Sequence, residues 1–502
     1  MGRGTQLLNV RNTIAALVVV IVLTYFLFPV LQKRINAEKD YLKNRSIAVI
    51  PFVNSNNDPQ QAFFTDGLTE DILIDLSRIK GLKVCARTSS FQFRGKIADV
   101  RQVGEKLKVS TLLEGSLQIL GDQVKVVFKL VDTKDGSEIL TGQYTENMDN
   151  LSALQKKISG AVAEKLQIKS TGKDLQIAAK KATPNKQAYS LYLKGRASWN
   201  LGTPPDLKRG IDFFRQAIAI DSSYAAAYSG IADCYTALGY GSFIAPKDAF
   251  PKALEAATKA LQLDSTLAEP HASLGFYKFY YEWDWAAAEQ EFRASVARNA
   301  NYAIGYDWYG YYLTAMKRYD EAMVVLKKAQ ELDPLSVRIN TDIGFCFFYS
   351  GNVDQAITVC KASLQRNPKF ILAHLWLGRS YHVKKMYPEA ISEYKKGIEA
   401  APGWSVPFAL VGNAYGESGD KENAHRVLDT LTSWSSKKFV TAYGVATVYV
   451  GLGEKEQTFF WLNKAFEERS NWLVWLKLDP RWAPIMSDKR YIEMVNKIGL
   501  PN

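Results

Sequence analysis

The chain has 502 residues, 47% hydrophobic and 23% charged, with a net charge of +12. That length exceeds what one hydrophobic core organises and implies roughly two to four domains. Residues 1–45 hold seven Lys/Arg against two Asp/Glu, and the excess is thin elsewhere. A phosphate-tracking basic stripe is therefore excluded, and no nucleic-acid partner is expected.

In chain order, a short N-terminal segment (1–13) leads to Ile14–Leu31, 18 residues without a charge. That meets the lower limit for a membrane-spanning helix. No small-residue cleavage site follows, so an uncleaved anchor is expected rather than a removed signal peptide. A basic juxtamembrane linker (32–45) comes next. Its Lys33, Arg34, Lys39, Lys43 and Arg45 outnumber Arg3 and Arg11 before the span. The positive-inside rule thus favours a cytoplasmic C-terminal side, but it loses force when a long domain follows.

Residues 46–170 alternate strand and helix patterns. SIAVIPF (46–52) is a buried-strand run and 62–79 a helix stopped by Gly81. LKVCAR (82–87) is a second strand and 98–108 a short helix. Residues 110–120, 123–132 and 138–146 read as three successive strands, with GD and KDG supplying the tight turns. LSALQKKISGAVAEKL (151–166) closes the unit as an amphipathic helix. The helix expected over 62–79 contains FFTDGLTEDILIDL (63–76). Phe64, Leu68, Ile72 and Leu76 step by four and form an apolar stripe. Asp66, Glu70, Asp71 and Asp75 lie off that stripe and are expected to be a solvated face, or at most a contact for a basic partner.

Residues 171–186 are polar and Lys-rich, a linker. From 187 the chain is helical and repetitive. Blocks 303–336, 337–370 and 371–404 follow one another at 34 residues without a gap. Down their columns stand Gly310, Gly344, Gly378; Ala322, Ala356, Ala390; and Pro334, Pro368, Pro402. Small residues let paired helices approach, and proline ends each second helix. This pattern resembles the tetratricopeptide repeat. About eight units are expected over 187–470, stacked as a superhelical solenoid with a helical cap at 471–502. The unit from Glu269 carries one extra residue in its turn. The inserted GYGSFIAPKD is a candidate contact loop.

The motifs SIAVIPF, FTDGLTEDILIDLSRI, ARTSSFQFRGK, ADVRQVGEKLKVSTLLEGSLQ and LVDTKDGSEI resemble, in order, the TolB amino-terminal-like domain of bacterial membrane-bound tetratricopeptide proteins. Residues 468–500 look like the tail of the same architecture. The fold class so implied is a single transmembrane helix, a small α/β TolB-like domain and an all-α solenoid. In that family a cyclase, winged-helix or kinase effector often precedes the span; with 13 residues before it, none is expected here. The resemblance implies a single-pass protein of the cytoplasmic (inner) membrane with extracytoplasmic domains.

No GxSxG, GxxxxGK[ST], HExxH or DFG motif is present, so no catalytic residue, cofactor or metal site is assigned. His271, His374, His382 and His425 lack ligand spacing. In tetratricopeptide solenoids, positions 9, 12 and 13 of each first helix face the concave groove. Here these are Phe276, Phe279, Tyr280, Tyr311, Phe345, Phe348, Tyr349, Arg379 and His382. Aromatic and Arg side chains are the usual interface anchors, so a protein or peptide partner in this groove is expected. The expected function is a membrane-anchored interaction scaffold or sensor without catalytic activity. The alternatives are a nucleotide-signalling or other enzyme with its site in the α/β domain, and a small-ligand sensor that relays to a partner.

Overall fold

The computed structural model describes residues 45–500 apart from 57, 59–61, 97–98, 169–182 and 184. The expected span 14–31, its flanks and most of the linker 171–186 lie outside these residues. Among the described residues no helix is long and apolar enough to cross a membrane. The fold class is corrected accordingly: a small α/β domain followed by a helical solenoid, with no membrane-spanning helix in what is described. The single-pass inner-membrane localisation is withdrawn with it.

The α/β domain is built on strands β1 (Ser46–Val49), β2 (Val53–Asn54), β3 (Lys83–Val84), β4 (Thr111–Leu120), β5 (Gln123–Asp132) and β6 (Glu138–Asn147). Among the described residues they form one sheet in the order β3-β1-β4-β5-β6, with β2 also on β4. β1 runs parallel to β3 and β4, while β4, β5 and β6 are antiparallel neighbours. Every second residue of β5 from Val124 to Leu130 is buried, as alternation requires when one face of a sheet is covered. Helices α1 (Ala62–Ser77) and α4 (Leu151–Lys165) cover that face. The short α2 (Arg87–Ser90) and α3 (Val100–Leu107) complete the domain. Asp99 caps α3, accepting from the Arg101 amide.

The solenoid has eight helix pairs among the described residues. They are α5/α6 (Lys186–Leu201, Pro204–Ile220), α7/α8 (Ala225–Tyr240, Pro246–Leu263), α9/α10 (Glu269–Tyr277, Trp285–Arg298) and α11/α12 (Ala303–Ala315, Tyr319–Leu332), followed by α13/α14 (Val337–Tyr349, Val353–Arg366), α15/α16 (Ile371–Val383, Tyr387–Ala400), α17/α18 (Ser405–Glu417, Lys421–Ser435) and α19/α20 (Ala442–Leu452, Lys455–Glu467). The column of repeat glycines does what close approach demands. A Cβ on Gly310 would stand 2.6 Å from Leu326 of its partner helix, and one on Gly378 2.6 Å from the Tyr394 ring. The extra residue in the third pair is absorbed by a π turn, Lys278–Glu282, which ends with Trp283 in a left-handed conformation. After α20 the chain turns through two 3-10 segments, Asn471–Trp475 and Pro480–Ile485, and finishes in α21 (Lys489–Ile498).

The two parts share a core: the first two helix pairs pack against α1 and α4 in one apolar cluster. The acidic helix is the main bridge. Its Glu70 accepts from Arg196 at 2.8 Å and from Asn200 at 3.2 Å, and pairs with Arg87 at 2.8 Å. Asp71 accepts from the Tyr189 hydroxyl at 2.5 Å, and Asp66 pairs with Arg94. Glu70 and Asp75 are each only 5% exposed. The expectation of a solvated acidic face is therefore corrected, because Arg196 and Tyr189 of the solenoid, with Arg87 and Arg94 of the α/β domain itself, cover it. Further along, the loops after α10 and α12 reach the sheet edge, where Asn301 bonds β3 and Asp333 accepts from Ser89.

Candidate functional site

The nine residues expected in the groove lie on the first helices of the third to sixth pairs or, for Phe279 and Tyr280, on the π turn that extends one of them. All nine are buried: Phe276, Phe279, Tyr280, Tyr311, Phe345, Phe348, Tyr349, Arg379 and His382. What covers most of them is the chain itself. Trp475, 1% exposed, enters from the C-terminal segment. Its ring lies 4.8 Å from Tyr349 in a stacked arrangement and 4.9 Å from Phe345 edge-on, with Phe279 at 6.1 Å. Tyr240 arrives from α7 and lies against Phe276, Tyr280 and Tyr311. The groove is thus filled by an aromatic plug rather than open along this stretch.

Arg379 shows how the plug is locked. Its guanidinium donates to the Tyr349 hydroxyl at 3.1 Å and sits over the Phe348 and Trp376 rings. It pairs with Asp479 of the tail at 3.1 Å, and Arg481 holds the same carboxylate. Burial raises the cost of charging Asp479, but the two arginines outweigh it and hold the carboxyl well below the usual range. His382 sits beside this cluster and bonds Glu417 at 3.0 Å. His374 and His271 are likewise tied to Glu393 and Glu291, each at 2.6 Å. Among the described residues no group of three or more His, Cys, Asp and Glu is placed to hold a metal.

A second buried charge cluster lies on the same inner surface. Asp342 accepts from the Tyr311 hydroxyl at 2.6 Å, and Arg338 stands 3.6 Å from Asp342 and 3.7 Å from Asp307. Burial pushes the Asp307 carboxyl well above its ordinary range, and neighbouring Asp342 adds to that push. Burial raises the Asp342 carboxyl as well, against the pull of Arg338 and the Tyr311 hydroxyl.

Trp475, Asp479, Arg481, Arg338 and Asp342 were not singled out by sequence reasoning. One signal for the tail was available: ERSNWLVWLKLDPRW places three tryptophans within eleven residues just beyond the last repeat. So apolar a segment without repeat register needs a face to bury it. The inserted loop after α7 also finds its contact inside the molecule. Phe243 packs on Trp404 at 5.4 Å, and the Trp404 indole donates to the Gly241 carbonyl at 2.6 Å.

Comparison with known proteins agrees with this division. Residues 304–334 and 347–403 match models of the tetratricopeptide repeat. The chain carries tetratricopeptide repeats. Residues 43–161 match the second domain of HilA/YgeH-like transcriptional regulators. Among curated relatives, Putative adenylate cyclase 3 of Rhizobium meliloti is 29% identical over 237 residues, 46% of this chain and 39% of that protein. Transcriptional regulator HilA of Salmonella typhimurium is 23% identical over 303 residues, 58% of this chain and 52% of that protein. The chain thus spans about half the length, or less, of these relatives. Among solved structures, Pseudomonas aeruginosa PilF overlaps 45% of this chain and 96% of its own at 21% identity and a TM-score of 0.32. YrrB, described as a tetratricopeptide repeat protein with an unusual peptide-binding site, overlaps 38% of this chain and 92% of its own at 21% identity and a TM-score of 0.26.

Proposed function

We propose that this chain is a non-catalytic interaction module whose repeat groove grips a segment of protein. The observation that carries the reading is the tail itself: the concave face holds a polypeptide segment through a tryptophan among aromatic rings and a carboxylate on two arginines. Burial of an aromatic anchor ringed by desolvated contacts is the mode of an interface hot spot. The nine groove residues would meet a partner that brings an equivalent aromatic and acidic pair in place of Trp475 and Asp479. Parts of this chain match relatives that carry names of unlike activities, a cyclase and a transcriptional regulator. In the α/β domain, the acidic helix spends Glu70 on Arg196 and Arg87, which speaks against an acid–base site there. We retain the TolB amino-terminal-like reading of residues 46–170 as part of this proposal.

The test is reconstitution. A chain ending at Glu467, checked for helicity by circular dichroism, is titrated with a labelled peptide of residues 468–500. Saturable binding, lost when the peptide carries Trp475→Ala, is the expected result. A helical truncated chain that ignores the peptide would refute the groove. So would a truncated chain that fails to fold, because the tail would then be obligatory core.

A further inference from the structure

Beside the aromatic plug the superhelix encloses a cavity of about 990 Å³. Its outer lining includes the exposed Leu201 at the end of α5 and the loop residues Lys369 and Pro402; its floor is buried, including Phe276 and Trp308. The volume falls at the upper end of the range for small-molecule sites, on the order of 300–1,000 Å³. Arg338, Arg379, Arg481 and Lys369 all line it, and among the described residues no Asp or Glu does.

The charge arrangement is selective. Asp479 lies behind Arg379 and Arg481 and neutralises one of them. Arg338 faces the cavity: its side chain keeps 41% of its surface accessible although Asp307 and Asp342 flank it. Those carboxylates stand 3.6 Å or more from its nearest nitrogen, beyond hydrogen-bond range, so the guanidinium keeps donors to offer. The buried Trp308 indole N–H has no hydrogen-bond partner among the described residues. Lys369 has no carboxylate partner among them. The cavity therefore presents a small excess of cation over mostly apolar walls, too little to balance a polyphosphate and enough for one anionic head.

We propose that this cavity is a binding site for a small organic monoanion with an apolar or aromatic body, its carboxylate on Arg338 and Arg481 and its body against Trp308, Trp376 and Leu375. This site adjoins the aromatic plug around Trp475 and shares Phe276, Arg379 and Arg481 with it, but the proposal does not depend on the docking reading above.

Calorimetry on the full chain tests it with decanoate and 1-naphthoate as probes and decylammonium as the head-group control. At least one carboxylate is expected to bind at one per chain, roughly tenfold tighter than the ammonium, the size of one charge-assisted contact. Leu372→Trp, which fills the cavity from its wall, should abolish binding. Lys369→Gln, on an exposed side chain, and Arg338→Gln should each weaken it by up to about tenfold. Melting curves confirm that each variant is folded; if Arg338→Gln is not, Lys369→Gln and Leu372→Trp decide. Failure of both carboxylates to bind overturns the proposal. So does equal affinity for the ammonium, or binding that Leu372→Trp leaves intact.

Discussion

Glu70 accepts from Arg196 and Asn200 and pairs with Arg87, so three side chains from two other helices depend on one buried carboxylate. Burial opposes its charge, yet the two arginines win and its pKa is lowered. Its contribution is therefore present above its unfolded value and lost as pH falls through the folded one. Removing one partner of a buried pair strands the others, which costs about 3–5 kcal/mol. Glu70→Gln is expected to lower stability by about that amount in urea unfolding; a loss under 1 kcal/mol would mean that water reaches the site. Asp333 behaves in the opposite sense. Burial pushes its carboxyl up to about 6, against hydrogen bonds from Ser89, Thr88 and Ser336 that pull it down. Cys85 and Asp307 stand nearby, and the Cys85 thiol is itself pushed up to about 12 by burial. A raised carboxyl favours the folded state below its unfolded pKa, and that advantage fades as pH rises through about 6. Wild-type stability should thus rise by on the order of 1 kcal/mol between pH 7 and pH 5 through this group. His374, raised through Glu393, moves in the same direction. The difference between wild type and Asp333→Asn isolates Asp333, and parallel pH profiles for the two would contradict the assignment.

Asn301 works at the scale of an element. Its carboxamide oxygen accepts from the Val84 amide at 3.0 Å, and its nitrogen donates to the Leu82 and Ser77 carbonyls at 2.8 Å each. One side chain thus stands in for a neighbouring strand along the two-residue edge of β3. An open edge invites pairing with another chain, and this edge is closed by the solenoid. Asn301→Ala leaves three backbone groups without their partner, at about 1–3 kcal/mol for each that water cannot reach. The expected result is a lowered melting temperature together with faster amide exchange at Val84; unchanged exchange there would show that the edge is held by other means. Nothing in the sequence around Asn301 announces this role, because its partners lie 217 and more residues away. The repeats were legible for the converse reason. Gly310, Ala322 and Pro334 each serve a neighbour within the same hairpin or the next, so their purpose recurs every 34 residues. The strands were legible too, since Val124, Val126, Phe128 and Leu130 alternate against one covered face. The acidic helix was misread at its outer face because Arg196 is 126 residues downstream. Register could assign the nine expected groove residues to repeat positions, but Trp475 belongs to no repeat and its destination was not written in any period.

The whole molecule is closed by contacts between repeats far apart in sequence. Trp404, at the start of the seventh helix pair, donates to Gly241 at the end of the second pair's first helix, 163 residues earlier. Asn471 donates to the Tyr240 carbonyl at 2.9 Å, and the Trp472 indole to Ser242 at 3.1 Å. An open solenoid bends through small rotations spread over every repeat interface, so its curvature is soft. A clasp across the turn fixes that curvature and walls the cavity, since Gly241, Phe243, Trp404 and Trp472 all line it. Trp404 is 8% exposed, and replacing so large a buried ring by alanine typically costs about 3–5 kcal/mol. If its contribution is local packing alone, Trp404→Ala will melt earlier at an unchanged radius of gyration. If it is a clasp, the variant will remain helical below its melting point while its radius of gyration by small-angle scattering increases. The second outcome is expected, because Trp404 packs on Phe243 from the far side of the superhelix as well as on its own repeat. The same opening should abolish carboxylate binding in the cavity, whose opposite walls would then stand too far apart to hold one ligand.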